Sequence, residues 1–394
     1  MADFIDLYQY HDYYAVDELL SDEHKVVRES VRKWVSQKVK PIIEEYAQKA
    51  EFPKHLIPEL AKLGALGPTI PAEYGGAGLD YISYGMITME LERGDSGIRS
   101  FASVQSSLVM FPIFKYGSEE QKRKYLPKLA KGELIGCFGL TEPNHGSDPG
   151  SMDSRLEDNG DHYVLNGAKM WITNGSICDI AVVWAKDESG VVRGVILEKE
   201  MEGFQRFPIH NKWSLRASDT GELVFDNVKV PKENVLPLAE GLRAPLSCLT
   251  QARYGIAWGV IGVAMECFDT AVRYAKERKQ FGKPIGSFQL IQAKLADMLT
   301  EITKMQLIAW RLGTLINEGK ARPQQVSLAK RNNVYHALQI AREARQVLGA
   351  MGITGDYPIM RHMMNLESVI TYEGTHEVHT LVLGQDITGF NAFK

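Results

Sequence analysis

A chain of 394 residues, 44% hydrophobic and 24% charged, has the composition of a soluble protein and length enough for two or three domains or one large multi-layer unit. Its formal net charge of −4 provides no global basic field for nucleic acid. Its four cysteines, Cys137, Cys178, Cys248 and Cys267, form no CxxC pair, which argues against a zinc site or a disulfide framework and fits a reducing compartment.

The chain begins "MADFIDLYQYHDYY", acidic and aromatic, without the basic start and apolar run of a signal peptide or the Arg-rich, acid-poor look of a transit peptide. No apolar run reaches the roughly 18 residues that a membrane helix needs. The expectation is a cytoplasmic protein with no membrane insertion. "LSDEHKVVRESVRKWVSQKVKPIIEEYAQ" places Val27, Val31, Trp34, Val35 and Val39 at helical spacing, with Ser21 as N-cap. "IPAEYGGAGLDY" is a Gly-rich loop. "GSEEQKRKYLPKLAKGE" opens with Ser118-x-x-Gln121, a capping-box pattern, and its Lys and Arg residues read as a solvated face.

The texture changes near residues 131–136. From Cys137 to about Val235 the runs are short and alternating: "DHYVLNGAKMWIT", "DIAVVWAK", "GVVRGVILEK" and "GELVFDNVKVP", punctuated by Gly, Asn and Asp. These are strand and turn signals. From about Leu242 long helical periods return in "QARYGIAWGVIGVAMECFDTAVRYAKER", "FQLIQAKLADMLTEITKMQLIAWRLGTLI", "QQVSLAKRNNVYHALQIAREARQVLG" and "MRHMMNLESVI". Short Gly- and Pro-containing joints give the profile of an antiparallel four-helix bundle. The predicted organisation is an N-terminal helical domain over 1–135, a middle β domain over 136–240 and a C-terminal four-helix bundle over 241–394.

The bundle's last segment contains "TYEGTHEVH", residues 371–379, with an acid beside a glycine. That glycine costs about 1 kcal/mol in a helix interior, so the stretch reads as a break between helices with a carboxylate held at it. Taken alone, Glu373 is a capping or surface acid. His376 and His379 could share a helix face, but no further ligands accompany them and no metal is expected. His145, alone in a turn, has no assigned role.

Five motifs in order, "CFGLTEPNHGSD" (137–148), "KMWITNG" (169–175), "ERKQFGKPIGSFQLIQ" (277–292), "QVLGAMGITGDYP" (346–358) and "TYEGTHEVH", resemble the acyl-CoA dehydrogenase family over nearly the whole chain. "RGDSGIRSFASVQSSLVM", "QARYGIAWG" and "LADMLTEITKMQL" resemble its glutaryl-CoA dehydrogenase branch. The resemblance implies a mainly α fold with a middle β-barrel domain, bound FAD, and electrons passed to electron-transferring flavoprotein. The residues agree with a flavin on their own chemistry: "LTEPNHGSD" offers backbone N–H groups and the hydroxyls of Thr141 and Ser147 on a Gly-containing turn.

By resemblance, Phe138, Leu140, Thr141, Ser147, Trp171 and Thr173 face the flavin of their own subunit. Arg278, Phe281, Gln289, Gln346, Gly349 and Gly352 hold the adenosine-diphosphate part of a neighbour's FAD. Thr375 and Glu377 add a further FAD contact. An oligomer is then required to complete each site, and the resemblance implies a homotetramer. One departure is Ala350 in "GAMG", where the family carries a second adjacent glycine; its methyl group stands where a pyrophosphate would approach.

The resemblance makes Glu373 the base that removes the substrate α-proton. Its backbone N–H grips the thioester oxygen, and Gly374 permits close approach. Glu92, Arg99, Ser100 and Ser103 match a polar glutaryl-binding set, with Arg99 on the distal carboxylate; from the segment alone, Arg99 instead pairs structurally with Glu92 or Asp95. Tyr372 matches members that also decarboxylate, giving crotonyl-CoA and CO2. Arg253 and the surrounding 249–256 resemble a CoA contact region, Phe393 a contact near the adenine, and Ser147 a further substrate contact. The competing readings are a dehydrogenase or oxidase for another short acyl-CoA, and a non-catalytic flavin-binding interaction protein.

Overall fold

Ser21 Oγ accepts the His24 backbone N–H at 3.2 Å, while His24 Nδ1 receives the Ser21 N–H, so the first long helix starts where the cap residue stands. This helix, α1, runs Asp22–Trp34 and continues as a π-helical turn over Val35–Val39. Val31, Val35 and Val39 are buried, and Val27 and Trp34 pack beside them. The computed structural model describes residues 11–393.

The N-terminal helices continue with α2 (Ile43–Lys49), α3 (Ile57–Lys62), α4 (Tyr81–Gly94) and α5 (Ser96–Ser103), the last prolonged by a π-helical turn over Val104–Met110. Then come α6 (Phe111–Tyr116) and α7 (Glu119–Ala130). The Ser118–Gln121 capping box forms, with Gln121 N–H to Ser118 Oγ at 3.3 Å and Ser118 N–H to Gln121 Oε1 at 2.9 Å. Arg123, Lys124 and Lys128 on α7 are exposed. Nearly all of α4 and all of α5 are buried, which makes this pair the inner wall of the domain.

The middle domain is one curled seven-stranded sheet: β1 (Gly136–Gly139), β2 (Arg155–Asp158), β3 (His162–Thr173), β4 (Ile180–Asp187), β5 (Val192–Glu198), β6 (Phe204–Pro208) and β7 (Thr220–Pro231). The strand path is β1-β4-β2-β3-β7-β6, with β5 added on β4. β3 and β7 pair antiparallel from His162↔Pro231 to Thr173↔Thr220, and the register slips between Lys169 and Ile172. That bulge carries Trp171.

The bundle is α8 (Arg243–Glu277), α9 (Gln289–Asn317), α10 (Pro323–Val347), α11 (Ile359–Val369) and α12 (His376–Thr388), with a short hairpin of β8 (Lys279–Gln280) and β9 (Lys283–Pro284) between α8 and α9. One window of α8 reaches a mean hydropathy of 1.4 over 18 residues, and all of it is buried within the protein. The expectation that no stretch meets that criterion is corrected; α8 is apolar because other helices surround it.

Polar contacts, most of them buried, tie the domains together. Asp95 caps α5 by accepting the Gly97 N–H at 2.6 Å and receives Arg361 Nη1 at 2.6 Å and Asn365 Nδ2 at 3.0 Å from α11. Asn365 Oδ1 in turn accepts the Leu215 N–H of the middle domain at 2.9 Å. Arg216 Nε donates to Ala47 O at 2.8 Å.

Candidate active site

The helix break expected at residues 371–379 lies between α11 and α12. Thr375 starts α12 by accepting the Val378 N–H at 3.2 Å. Before it, Glu373 has φ 52° and Gly374 φ 94°, two successive residues in the left-handed half of conformational space. A glutamate there is strained by about 1–2 kcal/mol, so its surroundings must hold it. A Cβ at Gly374 would lie 3.0 Å from His379 Nε2 and 3.1 Å from Arg253 Nη2, which explains the glycine.

Three carbonyls in a row are held by cations. Lys330 Nζ donates to Tyr372 O and to Gly374 O, both at 2.6 Å. Arg253 Nε donates to Glu373 O at 2.7 Å. The Glu373 carboxylate atom Oε2 is buried, with no hydrogen-bond partner among the described residues. Burial raises the Glu373 carboxyl above its ordinary value, against the opposing pull of Arg99, Lys330 and Arg253. Burial likewise pushes the Lys330 ammonium down to about 7, with Arg253 and Arg99 adding to the fall and Glu373 opposing it.

Arg99 reaches the same place from α5. It makes a two-pronged pair with Glu92 of α4, Nε to Oε2 at 2.7 Å and Nη2 to Oε1 at 3.0 Å. Arg99 Nη2 also donates to the Tyr372 hydroxyl, and Ser100 Oγ lies 3.5 Å from that hydroxyl. Asp95 belongs to Arg361 instead. Of the two structural partners open to Arg99 in the sequence, Glu92 is therefore the one taken. Burial raises the Tyr372 phenol to about 12, so it stays a neutral hydroxyl. Ser103 is buried one turn beyond Ser100.

Glu92, Arg99, Ser100, Tyr372, Glu373, Gly374 and Arg253 thus lie in one connected cluster. Arg253, expected at a CoA region, is placed against the base loop. Ser147 and Phe393 are exposed, Phe393 near the end of the chain, and neither joins this cluster. Sequence reasoning missed Lys330 and Gly259. A Cβ at Gly259 would lie 1.9 Å from Glu92 Oε2, so this glycine makes room for the Glu92–Arg99 pair. Lys330 left a signal: it occupies the apolar stripe of α10 with Val326, Ala329 and Val334, where a lysine has no place on hydrophobic grounds.

A second group of predicted residues forms a wall on the sheet. Phe138 and Leu140 are buried, while Thr141 and Thr173 are half-buried. The Met170 N–H donates to Thr141 O at 2.9 Å and ties the loop after β1 to the β3 bulge. Trp171, at φ 65°, is 57% exposed although its neighbour Ile172 is buried. A large ring held outward on a strained bulge is a fitting platform for a planar aromatic group. Behind the wall, Lys169 Nζ donates to Glu142 Oε1 at 2.7 Å and to Leu140 O at 3.2 Å. Glu142, His145 and Asp153 bring possible ligand atoms within 4.8 Å of one another. Glu142 Oε1 is already taken by Lys169 and Ser154 and its Oε2 by the Asp153 N–H, so the group carries no argument for a metal. His376 stacks at 5.6 Å from the Tyr335 ring, and His379 is buried beside Gly374.

A third group stands at one end of the bundle, where α8 ends, α9 begins and α10 ends. Arg278, Phe281, Gln289, Gln346 and Gly349 are exposed there. Gly349 has φ 59° with open space beyond its Cα. Gly352 is buried, and a Cβ on it would come 2.3 Å from Arg345 O. Ala350 is exposed. Glu377 is exposed on the first turn of α12.

Family models for the acyl-CoA dehydrogenase N-terminal, middle and C-terminal domains match residues 21–133, 137–228 and 239–388. The chain belongs to the acyl-CoA dehydrogenase family. Two solved structures of glutaryl-CoA dehydrogenase from Mycobacterium smegmatis are 51% and 49% identical to it, with TM-scores of 0.94 and 0.95. They cover 96% and 97% of this chain and 97% and 98% of their own, and the second is in complex with FADH2. Glutaryl-CoA dehydrogenase of Desulfococcus multivorans is 35% identical over 384 residues, 95% of this chain and 98% of that one. A short-chain-specific acyl-CoA dehydrogenase of Clostridium acetobutylicum is 37% identical over 379 residues, 94% of this chain and 100% of that one.

The family is FAD-dependent. The residues present fit that cofactor. The outward Trp171 on its strained bulge, the half-buried hydroxyls of Thr141 and Thr173, and the open side of Gly349 are the flat wall, polar edge and close backbone approach that a flavin dinucleotide needs.

Proposed function

We propose that this enzyme oxidises glutaryl-CoA and decarboxylates the product to crotonyl-CoA, passing electrons to electron-transferring flavoprotein. The observation that supports the reading is the link between a buried guanidinium and the residue beside the base: Arg99 donates to the Tyr372 hydroxyl, and Glu373 follows directly. A fatty-acyl pocket has no use for a buried cation at that depth. A substrate with a carboxylate at its far end does, because desolvating that carboxylate without a partner costs several kcal/mol.

In this reading Glu373 takes the α-proton. Among the described residues its Oε2 has no hydrogen-bond partner, and burial raises its carboxyl toward the strength a base needs. The Glu373 backbone N–H grips the thioester oxygen and acidifies the α-carbon. When bound, FAD supplies the acceptor for the hydride that leaves the β-carbon. Phe138, Leu140, Thr141, Ser147, Trp171 and Thr173 would hold its ring system. Arg278, Phe281, Gln289, Gln346, Gly349 and Gly352, with Thr375 and Glu377, would hold a neighbour's adenosine-diphosphate arm in a homotetramer.

Arg99, with Ser100 and Ser103 beside it, binds the distal carboxylate until the C–C bond to the γ-carbon breaks and CO2 leaves. The electron pair of that bond delocalises into the thioester as a dienolate. Protonated Glu373 returns its proton to the γ-carbon, and crotonyl-CoA results. Arg253, Phe393 and Ser147 are the proposed contacts along the CoA moiety.

A second reading is a dehydrogenase for an uncharged short acyl-CoA. It is favoured by one observation: the Arg99 fork is already engaged by Glu92. Anaerobic bleaching of the flavin against glutaryl-CoA, butyryl-CoA and branched short acyl-CoAs, with products identified by mass, separates the two. Glutaryl-CoA bleaching with crotonyl-CoA formed supports the first reading; bleaching by butyryl-CoA but not glutaryl-CoA supports the second.

A further inference from the structure

Lys330 is 1% exposed, on the core side of α10, and among the described residues it forms no salt bridge within 4.0 Å. Its ammonium instead reaches two backbone carbonyls that flank a single residue, Tyr372 O and Gly374 O, each at 2.6 Å. Arg253 takes the carbonyl between them at 2.7 Å. No helix or strand ladder claims these carbonyls, because α11 has ended and α12 has not begun. A buried lysine spent on loop carbonyls rather than on a carboxylate is unusual, and the segment it grips has two residues at positive φ.

The geometry has a consequence for the chemistry. Tyr372 O and the Glu373 N–H belong to one planar trans peptide, so they point in opposite directions. Pulling Tyr372 O toward α10 turns the Glu373 N–H away from α10. The same grip on Gly374 O fixes the far side of the residue, so Glu373 is held from both ends. We propose that Lys330 is a positioning residue for the acyl-CoA reaction: it fixes the peptide that aims the Glu373 N–H at the thioester oxygen and holds the carboxylate at the α-carbon. This inference rests on the reading of Glu373 as the base.

The test is Lys330→Met in the FAD-loaded enzyme, compared with wild type and with Glu373→Gln. Two readouts are taken. Backbone hydrogen–deuterium exchange over residues 371–377 reports the grip without any turnover. Steady-state kinetics on the best acyl-CoA substrate report its effect on the reaction. The expected result is at least tenfold faster exchange over 371–377 with exchange in α8 and in residues 137–173 unchanged. With it, kcat falls by about 10²-fold while KM stays within a few-fold, as for a base displaced by about 1 Å. Wild-type exchange at 371–377 overturns the grip whatever the activity. Faster exchange with wild-type kcat overturns its role in the reaction. Should Lys330→Met fail to fold, Lys330→Gln, which keeps two donors on a shorter arm, is read against the same criteria. Glu373→Gln separates the two levels: if that variant still reduces flavin at the wild-type rate, the base reading fails, while the exchange result continues to stand or fall on its own.

Discussion

Glu92 and Arg99 close a two-pronged ion pair from either side of the break between α4 and α5, with Arg99 Nε 2.7 Å from Oε2 and Nη2 3.0 Å from Oε1, and both side chains are shielded from solvent. The pair orients the guanidinium, and its Nη2 continues to the Tyr372 hydroxyl. In the glutaryl-CoA reading, Arg99→Met removes the charge proposed to hold the distal carboxylate. The expected loss in kcat/KM for glutaryl-CoA is at least about 10²-fold, because losing one partner of a desolvated charged pair costs roughly 2–5 kcal/mol. The variant also leaves Glu92 buried without its cation, which lowers Tm. The ratio of glutaryl-CoA to butyryl-CoA kcat/KM is insensitive to that common destabilisation. Equal losses on both substrates would make Arg99 structural.

Gly259 of α8 faces this pair. A Cβ there would stand 1.9 Å from Glu92 Oε2 and 3.3 Å from Arg99 Nε. Gly259→Ala normally favours a helix by about 1 kcal/mol. Here the methyl group must displace a paired carboxylate, and overpacking costs about 1–3 kcal/mol. The expected outcome is a lower Tm and, in the glutaryl-CoA reading, a selective loss on that substrate, since the displaced pair carries the cation proposed for its carboxylate. A rise in Tm with unchanged substrate preference would show that α4 yields easily.

What the sequence revealed and what it hid divide along the reach of each interaction. Local signals were legible: the Ser21 and Ser118 caps, the alternation of β3 and β7, and the helix break around Glu373 each depend on a few adjacent residues. The π-helical turns at Val35–Val39 and Val104–Met110 were not, because a single i→i+5 turn inside a helix is too short to set up an apolar period of its own. The resemblance placed Arg99 and Tyr372 separately at the substrate; their direct contact, 273 positions apart in the chain, was signalled by no periodicity. Lys330 and Gly259 were missed because their partners lie far along the chain, in the loop before α12 for Lys330 and on α4 and α5 for Gly259. A charged residue in an apolar stripe marks an anomaly, but the stripe does not say which carbonyls it serves.

Glu373→Gln tests the base on two counts. Flavin reduction by substrate is lost, because an amide cannot accept the proton, while FAD and acyl-CoA still bind. Stability should rise. Burial raises the Glu373 carboxyl above its unfolded value, so above that unfolded value folding becomes progressively less favourable as the buried group is forced to ionise. The penalty is absent below the ordinary glutamate range and grows as pH rises through the raised value. The Tm advantage of the glutamine variant should therefore appear at neutral and alkaline pH and vanish in acid. A constant difference across pH would assign the effect to packing.

The pair behind the sheet wall has the opposite sign for its acid. Glu142 is lowered to about 2; burial opposes the shift, and the Lys169 and Ser154 hydrogen bonds with the Asp153 N–H outweigh it. Its contribution is fully present above the unfolded value near 4.5 and is lost as pH falls through about 2. Burial lowers Lys169 to about 8, against the opposing pull of Glu142, which is hydrogen-bonded to it, and of Asp153. Lys169→Met leaves Glu142 buried without its cation, held only by the Ser154 and Asp153 donors, at a cost of up to about 3–5 kcal/mol. Leu140 O also loses its donor, so FAD retention should weaken alongside Tm. A variant with wild-type Tm and full flavin content would show that Glu142 is held by its backbone donors alone.

The end of the bundle makes the last prediction. Phe281 is 92% exposed at φ 50°, and Leu290, in the first turn of α9, is 80% exposed. Beside them stand Arg278, Gln289 and Gln346, a cation and two amides suited to phosphate and adenosine edges. A single subunit has little reason to display a bare aromatic ring there, whereas an interface does. If these residues complete a neighbour's FAD site, flavin binding and assembly are linked, and anything that binds the assembled form stabilises it by mass action. Sedimentation of the yellow protein should give a homotetramer. Arg278→Glu should lower flavin content and shift the population toward smaller species, with added FAD restoring the larger one. A stable monomer with full FAD occupancy would rule out the shared site, and so would an Arg278→Glu protein that stays tetrameric and fully loaded.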